Sequence, residues 1–165
     1  INFKIYSVPN NKICYEMVNC YQDDGIILEP AGALSLSCLN ELQQDYCLED
    51  KNVVSILSGG NNDITRYGEI MQLSLEYMGL IHHFVIEFSQ TPGQLKHFIN
   101  HVLCDNIDII RLEYIKKTNK YYGKVLLGIQ LSDKQMLSNL IDKFNRNHIN
   151  YKKIEYNSIY YDILI

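Results

Sequence analysis

The sequence lacks the features typical of proteins that bind nucleic acid, span membranes or are exported. Its 15 Lys and Arg residues are scattered and outnumbered by 19 Asp and Glu residues, so they form no basic stripe. No apolar run approaches the ~20 residues needed to cross a bilayer, and the N-terminus does not resemble a signal peptide. We therefore expect a cytoplasmic protein that binds neither nucleic acid nor membrane.

The sequence also lacks a C-x-x-C pair, and its five cysteines are odd in number. This pattern predicts reduced thiols, not a disulfide framework or a zinc site. The spacing of the histidines does not favour a metal site either. His82 and His83 are adjacent and would point to opposite faces of a strand, whereas His97 and His101 lack the Glu of a His-Glu-x-x-His motif. We expect the second pair on the polar face of a helix, and no metal site.

The sequence also lacks the polar, poorly ordered segment with which most chains begin. It starts at Ile1 and soon enters an apolar stretch. We expect that a longer protein extends upstream. We also expect residues 1–79 to expose an apolar face and a sheet edge that the upstream part would cover.

The first half has the alternating order of an α/β layer. Three short apolar runs are typical of buried strands, and three segments have apolar residues at helical spacing. In chain order these are strand 3–8, helix 12–22, strand 25–28, helix 31–44, strand 53–57 and helix 63–79. This order predicts a parallel sheet.

The second half, from about Leu80, has the β-α-β-β-α-β order of a ferredoxin-like α+β domain. Alternating residues predict strands, the i, i+3, i+4 pattern predicts helices, and Ser132 is a good N-cap for the second helix. The predicted elements are strand 84–88, helix 95–103, strands 107–117 and 125–131, helix 132–144, strand 149–156 and a β-rich stub at 159–165. We expect an antiparallel sheet with both helices on one face.

Polar residues follow two of the predicted strands. A Ser-Gly-Gly-Asn turn at residues 58–61 follows strand 53–57, and Glu29 follows strand 25–28. Ligands bind outside the carboxyl ends of strands in open α/β sheets, and glycines there allow a planar ring to approach. Taken alone, the turn has the alternative interpretation of a simple strand cap.

Several segments resemble motifs of one family. Residues 29–33 (Glu-Pro-Ala-Gly-Ala) and 58–64 (Ser-Gly-Gly-Asn-Asn-Asp-Ile) resemble the last two motifs of the pyridoxal 5′-phosphate (PLP)-dependent dehydratases of threonine and serine. The second half resembles the single-copy ACT-like regulatory domain of biosynthetic threonine ammonia-lyases. The segments that carry this second resemblance are 84–88, 91–95, 111–114, 116–118 and 161–165.

The resemblance implies that residues 1–79 end a fold type II PLP-dependent catalytic domain and that residues 80–165 form the ACT-like domain. It implies deamination of L-threonine to 2-oxobutanoate and ammonia, feedback by isoleucine and valine, and a homo-oligomer. By the same resemblance, Ser58 hydrogen-bonds the PLP ring nitrogen, with Gly59 and Glu29 close to the cofactor. Glu29 has the alternative role of a structural carboxylate that accepts backbone N–H bonds.

The effector site is expected in the loop at residues 90–95. A glycine there lets backbone N–H groups meet an amino-acid carboxylate at a helix N-terminus, although a tight turn is the alternative interpretation. The expected site residues are Thr91, Gly93, Gln94 and Leu95.

No catalytic residue is expected in this chain. A Schiff base requires a lysine in a desolvated pocket; Lys4 superficially resembles it but lies only 25 positions before Glu29. Without this lysine and a glycine-rich phosphate loop, the chain alone should be inactive. The alternatives are a free-standing amino-acid-binding module, a catabolic serine/threonine dehydratase and a nonfunctional gene remnant, in which the motifs would have decayed.

Overall fold

The computed structural model describes residues 4–61, 63–103, 106–116, 120–156 and 158–165. The chain divides into two compact units, Ile1–Met78 and Gly79–Ile165. Some residues that belong to predictions above lie outside the described residues; they are Phe3, Asn62, Cys104, Lys117 and Thr118.

The first unit is built from helices. They are α1 (Asn10–Asp24), α2 (Pro30–Ser37), α3 (Leu39–Asp45) and α4 (Tyr67–Tyr77), with a 3-10 turn at Ile64–Arg66 before α4. A small apolar core holds α1, α2 and α4 together through Ile13, Cys14, Met17, Cys20, Leu28, Ala33 and Ile70. The predicted helices 12–22 and 63–79 are thereby confirmed. The predicted helix 31–44 is interrupted at Cys38, where α2 ends and α3 begins.

The three strands predicted for the first unit are wrong for its described residues, which contain no strand. A strand needs a neighbour to complete its hydrogen-bond ladder, and neither 4–8, 25–28 nor 53–57 has one there. The last segment nevertheless has the alternating burial of a strand. Ser55 and Leu57 are half-buried, whereas Val54 and Ile56 are 88% and 79% exposed. The expected apolar exposure is therefore present without the expected sheet edge.

The second unit contains a four-stranded antiparallel sheet with the order β2-β3-β1-β4. The strands are β1 (Ile81–Ser89), β2 (Ile107–Tyr114), β3 (Tyr122–Leu131) and β4 (Asn150–Ile154). Helix α5 (Gln94–His97), which continues as a π-helix at Phe98–Val102, follows β1, and α6 (Met136–Arg146) follows β3. This arrangement confirms the predicted ferredoxin-like domain.

The core of the second unit lies between one face of the sheet and its two main helices. Alternate residues of β1, Phe84, Ile86 and Phe88, are buried there. Phe98 and Phe144 pack against them from the helices, with the rings of Phe84 and Phe144 5.5 Å apart and edge to face. The core is thus formed by residues of this unit alone.

Two predictions in the second unit are wrong. Ser132 is not the N-cap of α6, because its hydroxyl donates to the Met136 sulfur and the Asp133 carboxylate accepts the Gln135 N–H instead. The stub at 159–165 is a helix, α7 (Ile159–Leu164), and not a strand. Ser158 caps this helix by accepting the Tyr161 N–H, so the local cap outweighs the β preference of Ile and Tyr.

Candidate functional site

The two motifs of the first unit meet in the structure. The Glu29 N–H donates to the Gly59 carbonyl over 2.9 Å. Glu29 precedes α2, and Pro30 starts that helix, where its missing N–H costs nothing. The chain therefore brings Glu29, Ser58 and Gly59 together, although Ser58 lies 29 positions after Glu29.

Close packing fixes the turn at Gly59. Its φ of +78° favours glycine, and a Cβ there would lie 2.3 Å from Cγ and Cδ of Glu29. The Glu29 side chain therefore lies against the Gly59 backbone, and both roles stated for this carboxylate stay predictions.

The residues around Ser58 fit the pyridine end of PLP. Ser58 is exposed, and no atom lies within 4 Å of the place that a Cβ would take on Gly60. The backbone next to Ser58 is therefore open at Gly60. A hydroxyl donates or accepts, so it suits a ring nitrogen in either protonation state. The roles of these residues toward the cofactor stay predictions.

Lys4 differs from a Schiff-base lysine. It lies at the surface and forms an ion pair with Asp45. The hydrogen bond to this carboxylate raises the pKa of Lys4, whereas a nucleophilic lysine needs a lowered pKa.

The predicted effector residues lie together in the loop after β1. Gly93 has a φ of +90° and open space beside it, and its carbonyl accepts the His97 N–H over 2.9 Å. The Thr91 N–H and hydroxyl lie 3.4 and 3.2 Å from the Ser89 hydroxyl, which holds the start of the loop. Thr91, Gly93 and Gln94 are exposed, whereas Leu95 packs against the core. The α-helix that follows is a single turn, because it becomes a π-helix at Phe98.

Comparison with known proteins identifies the second unit. Residues 73–164 match the family described as the C-terminal regulatory domain of threonine dehydratase, which is more than half of the chain. The chain belongs to this family. Its ferredoxin-like sheet is therefore the sheet of a threonine dehydratase regulatory domain.

Relatives named biosynthetic L-threonine dehydratase IlvA match almost the whole chain. The protein of Halalkalibacterium halodurans is 43% identical over 161 residues, which are 98% of this chain and 38% of the relative. The Corynebacterium glutamicum protein is 40% identical over 158 residues, 96% of this chain and 36% of the relative. The Bacillus subtilis protein is 40% identical over 161 residues, which are 98% of this chain and 38% of the relative. The chain thus spans less than two fifths of the length of these relatives.

The regulatory domain contains a buried histidine whose importance the sequence did not reveal. His83 is 4% exposed on the sheet face opposite the core, where its ring meets Tyr161 edge to face. Burial, with the nearby charge of Arg111 and then His82, lowers the pKa of His83 to about 4. Burial also lowers the pKa of His82, whose Nε2 lies 2.9 Å from the Gly79 carbonyl oxygen.

The described part of the chain contains no group of three or more possible metal ligands and no helix long and apolar enough to span a membrane. The rings of His97 and His101 stack 4.5 Å apart on the second unit's first helix. The described cysteines that are free thiols are Cys14, Cys20, Cys38 and Cys47.

Proposed function

We propose that this chain is the C-terminal part of a biosynthetic threonine ammonia-lyase, acting in the cytoplasm. The complete protein would convert L-threonine to 2-oxobutanoate and ammonia with PLP, in isoleucine biosynthesis. Residues 1–79 would end the catalytic domain, and residues 80–165 would regulate it. The meeting of Glu29 and Gly59 beside the exposed Ser58, in a chain that carries this family's regulatory domain, is the observation that supports the proposal.

In this proposal the chain contributes one end of the cofactor site. PLP supplies an electron sink that eases loss of the substrate's α-proton and β-hydroxyl. The Ser58 hydroxyl binds the ring nitrogen as a neutral partner, so it does not require that nitrogen to be protonated. The Glu29 side chain keeps the Gly59 turn in place. The lysine and the phosphate loop would come from the rest of the protein, so the chain alone would be inactive.

Replacing Ser58 by alanine in the complete protein should weaken PLP binding. The ring nitrogen would lose its hydrogen bond at a cost of about 1–3 kcal/mol, and turnover should fall with it. PLP titration by absorbance and the rate of 2-oxobutanoate formation measure the two effects. Ser58→Thr, which keeps a hydroxyl, is the matched control. Equal PLP affinity in the alanine variant and the parent would remove Ser58 from the cofactor site.

We also propose that the second unit binds isoleucine, with valine as a second effector, at the loop of residues 90–95. The exposed backbone around Gly93 is available to an amino-acid carboxylate, and the part of Leu95 that remains accessible beside the core offers apolar surface to the ligand side chain. Thr91 and Gln94 add polar groups at the same loop. The protein would act as a homo-oligomer, and effector binding would control the catalytic domain.

A further inference from the structure

One face of α2 follows the backbone of the turn that contains Ser58. Glu29, Gly32 and Ser35 are spaced by three residues, so they lie along one side of the helix. The Glu29 N–H donates to the Gly59 carbonyl, Gly32 lies against the Ser58 backbone, and the Ser35 hydroxyl donates to the Ile56 carbonyl over 2.6 Å. We call Glu29, Gly32 and Ser35 the contact row.

Gly32 is the tightest point of the contact row. A Cβ on this buried residue would lie 1.6 Å from the Ser58 carbonyl oxygen and 2.5 Å from its carbon. Both atoms belong to the backbone, so no side-chain rotation can relieve the clash. The helix approaches the Ser58 peptide this closely only because residue 32 has no side chain.

The two hydrogen bonds of the contact row lie on either side of Ser58 in the chain. One holds Gly59, directly after Ser58, and the other holds Ile56, two residues before it. Ser58 itself is exposed, so it is not held inside the core. The backbone on both sides therefore determines where its hydroxyl lies.

We propose that Gly32 and Ser35 are positioning residues that hold the Ser58 hydroxyl where it meets the PLP ring nitrogen. This inference rests on the proposed role of Ser58. A hydrogen bond depends steeply on distance and angle, so a displaced Ser58 backbone weakens it even when the hydroxyl is present. Neither residue touches the ring; both act through the backbone of the turn.

The test compares Ser35→Ala with Ser37→Ala in the complete protein. Both changes remove a hydroxyl from α2, but Ser37 donates to the Ala33 carbonyl of its own helix and not to the turn. Ser35→Ala should weaken PLP binding roughly fivefold, as expected for one lost hydrogen bond, and alter the absorbance of the bound cofactor. Ser37→Ala should leave both unchanged, and Ser35→Thr, which keeps the hydroxyl, should restore them. Gly32→Ala should weaken PLP binding at least as much as Ser58→Ala.

Amide hydrogen exchange separates the contact row from the cofactor role. In Ser35→Ala without PLP, exchange at Glu29 and across residues 56–59 should accelerate, whereas Ser37→Ala should not change it. If Ser58→Ala weakens PLP binding but Ser35→Ala matches Ser37→Ala in every measurement, the positioning role is overturned and the proposed role of Ser58 stands. If Ser58→Ala leaves PLP affinity unchanged, both are overturned, even where exchange in Ser35→Ala accelerates.

Discussion

Acidification from pH 6.5 to 4 is expected to remove about 3 kcal/mol of folding free energy from the second unit through His83 alone. The unfolded chain binds a proton on this imidazole as the pH falls below about 6.5, whereas the folded unit keeps it neutral until about pH 4. The stabilisation is thus complete above pH 6.5 and is lost as the pH falls through that window. The cause is burial first, and then the nearby charges of Arg111 and His82, which disfavour a proton on the His83 ring.

Urea unfolding of residues 79–165 between pH 4 and 7.5 measures this loss. Their core and sheet are formed by this unit's own residues, which supports its folding alone. His83→Gln, whose side chain does not titrate, should flatten most of the acid-side slope. His97→Gln is the matched control, since it removes an exposed histidine. The same slope in His83→Gln and His97→Gln would show that His83 is not the group responsible.

Isoleucine is expected to raise the melting temperature of the second unit by roughly 10 °C or more. A ligand that binds only the folded state adds about 2.7 kcal/mol at a hundredfold excess over Kd. A domain of this size shifts by several degrees for each kcal/mol. Differential scanning calorimetry with isoleucine, threonine and lysine checks the effect and its selectivity. Threonine and lysine should shift the melting temperature much less.

Gly93→Val should abolish the isoleucine shift. Valine disfavours the φ of +90° observed at residue 93, and its branched side chain would occupy the open space beside the loop. The variant should still fold, because residue 93 is exposed and outside the core. An equal isoleucine shift in Gly93→Val and the parent would move the effector site away from this loop.

The sequence predicted the second unit well because all the strands of its sheet lie within it. The alternation at residues 84–88 and 125–131 is completed by neighbouring strands, so pattern and structure agree. Residues 53–57 have an equally clear strand pattern. Their predicted sheet is nevertheless absent from the described residues, because a strand depends on a partner that a local pattern does not supply.

The candidate site was predictable in part. Ser58 and Glu29 belong to short motifs that carry a resemblance, and the structure brings them together. Gly32 and Ser35 carry no chemical signal of their own, because their roles arise from contacts across more than 20 positions of the chain. His83 was missed for the same reason, since its lowered pKa comes from burial that only the folded sheet creates.

Conversion of L-threonine by the complete protein, with PLP present and isoleucine titrated, tests the central claim most directly. 2-Oxobutanoate and ammonia should form in equal amounts, and isoleucine should lower the rate in the parent protein but not in Gly93→Val. Absence of 2-oxobutanoate, or a rate that saturating isoleucine leaves unchanged, would contradict it.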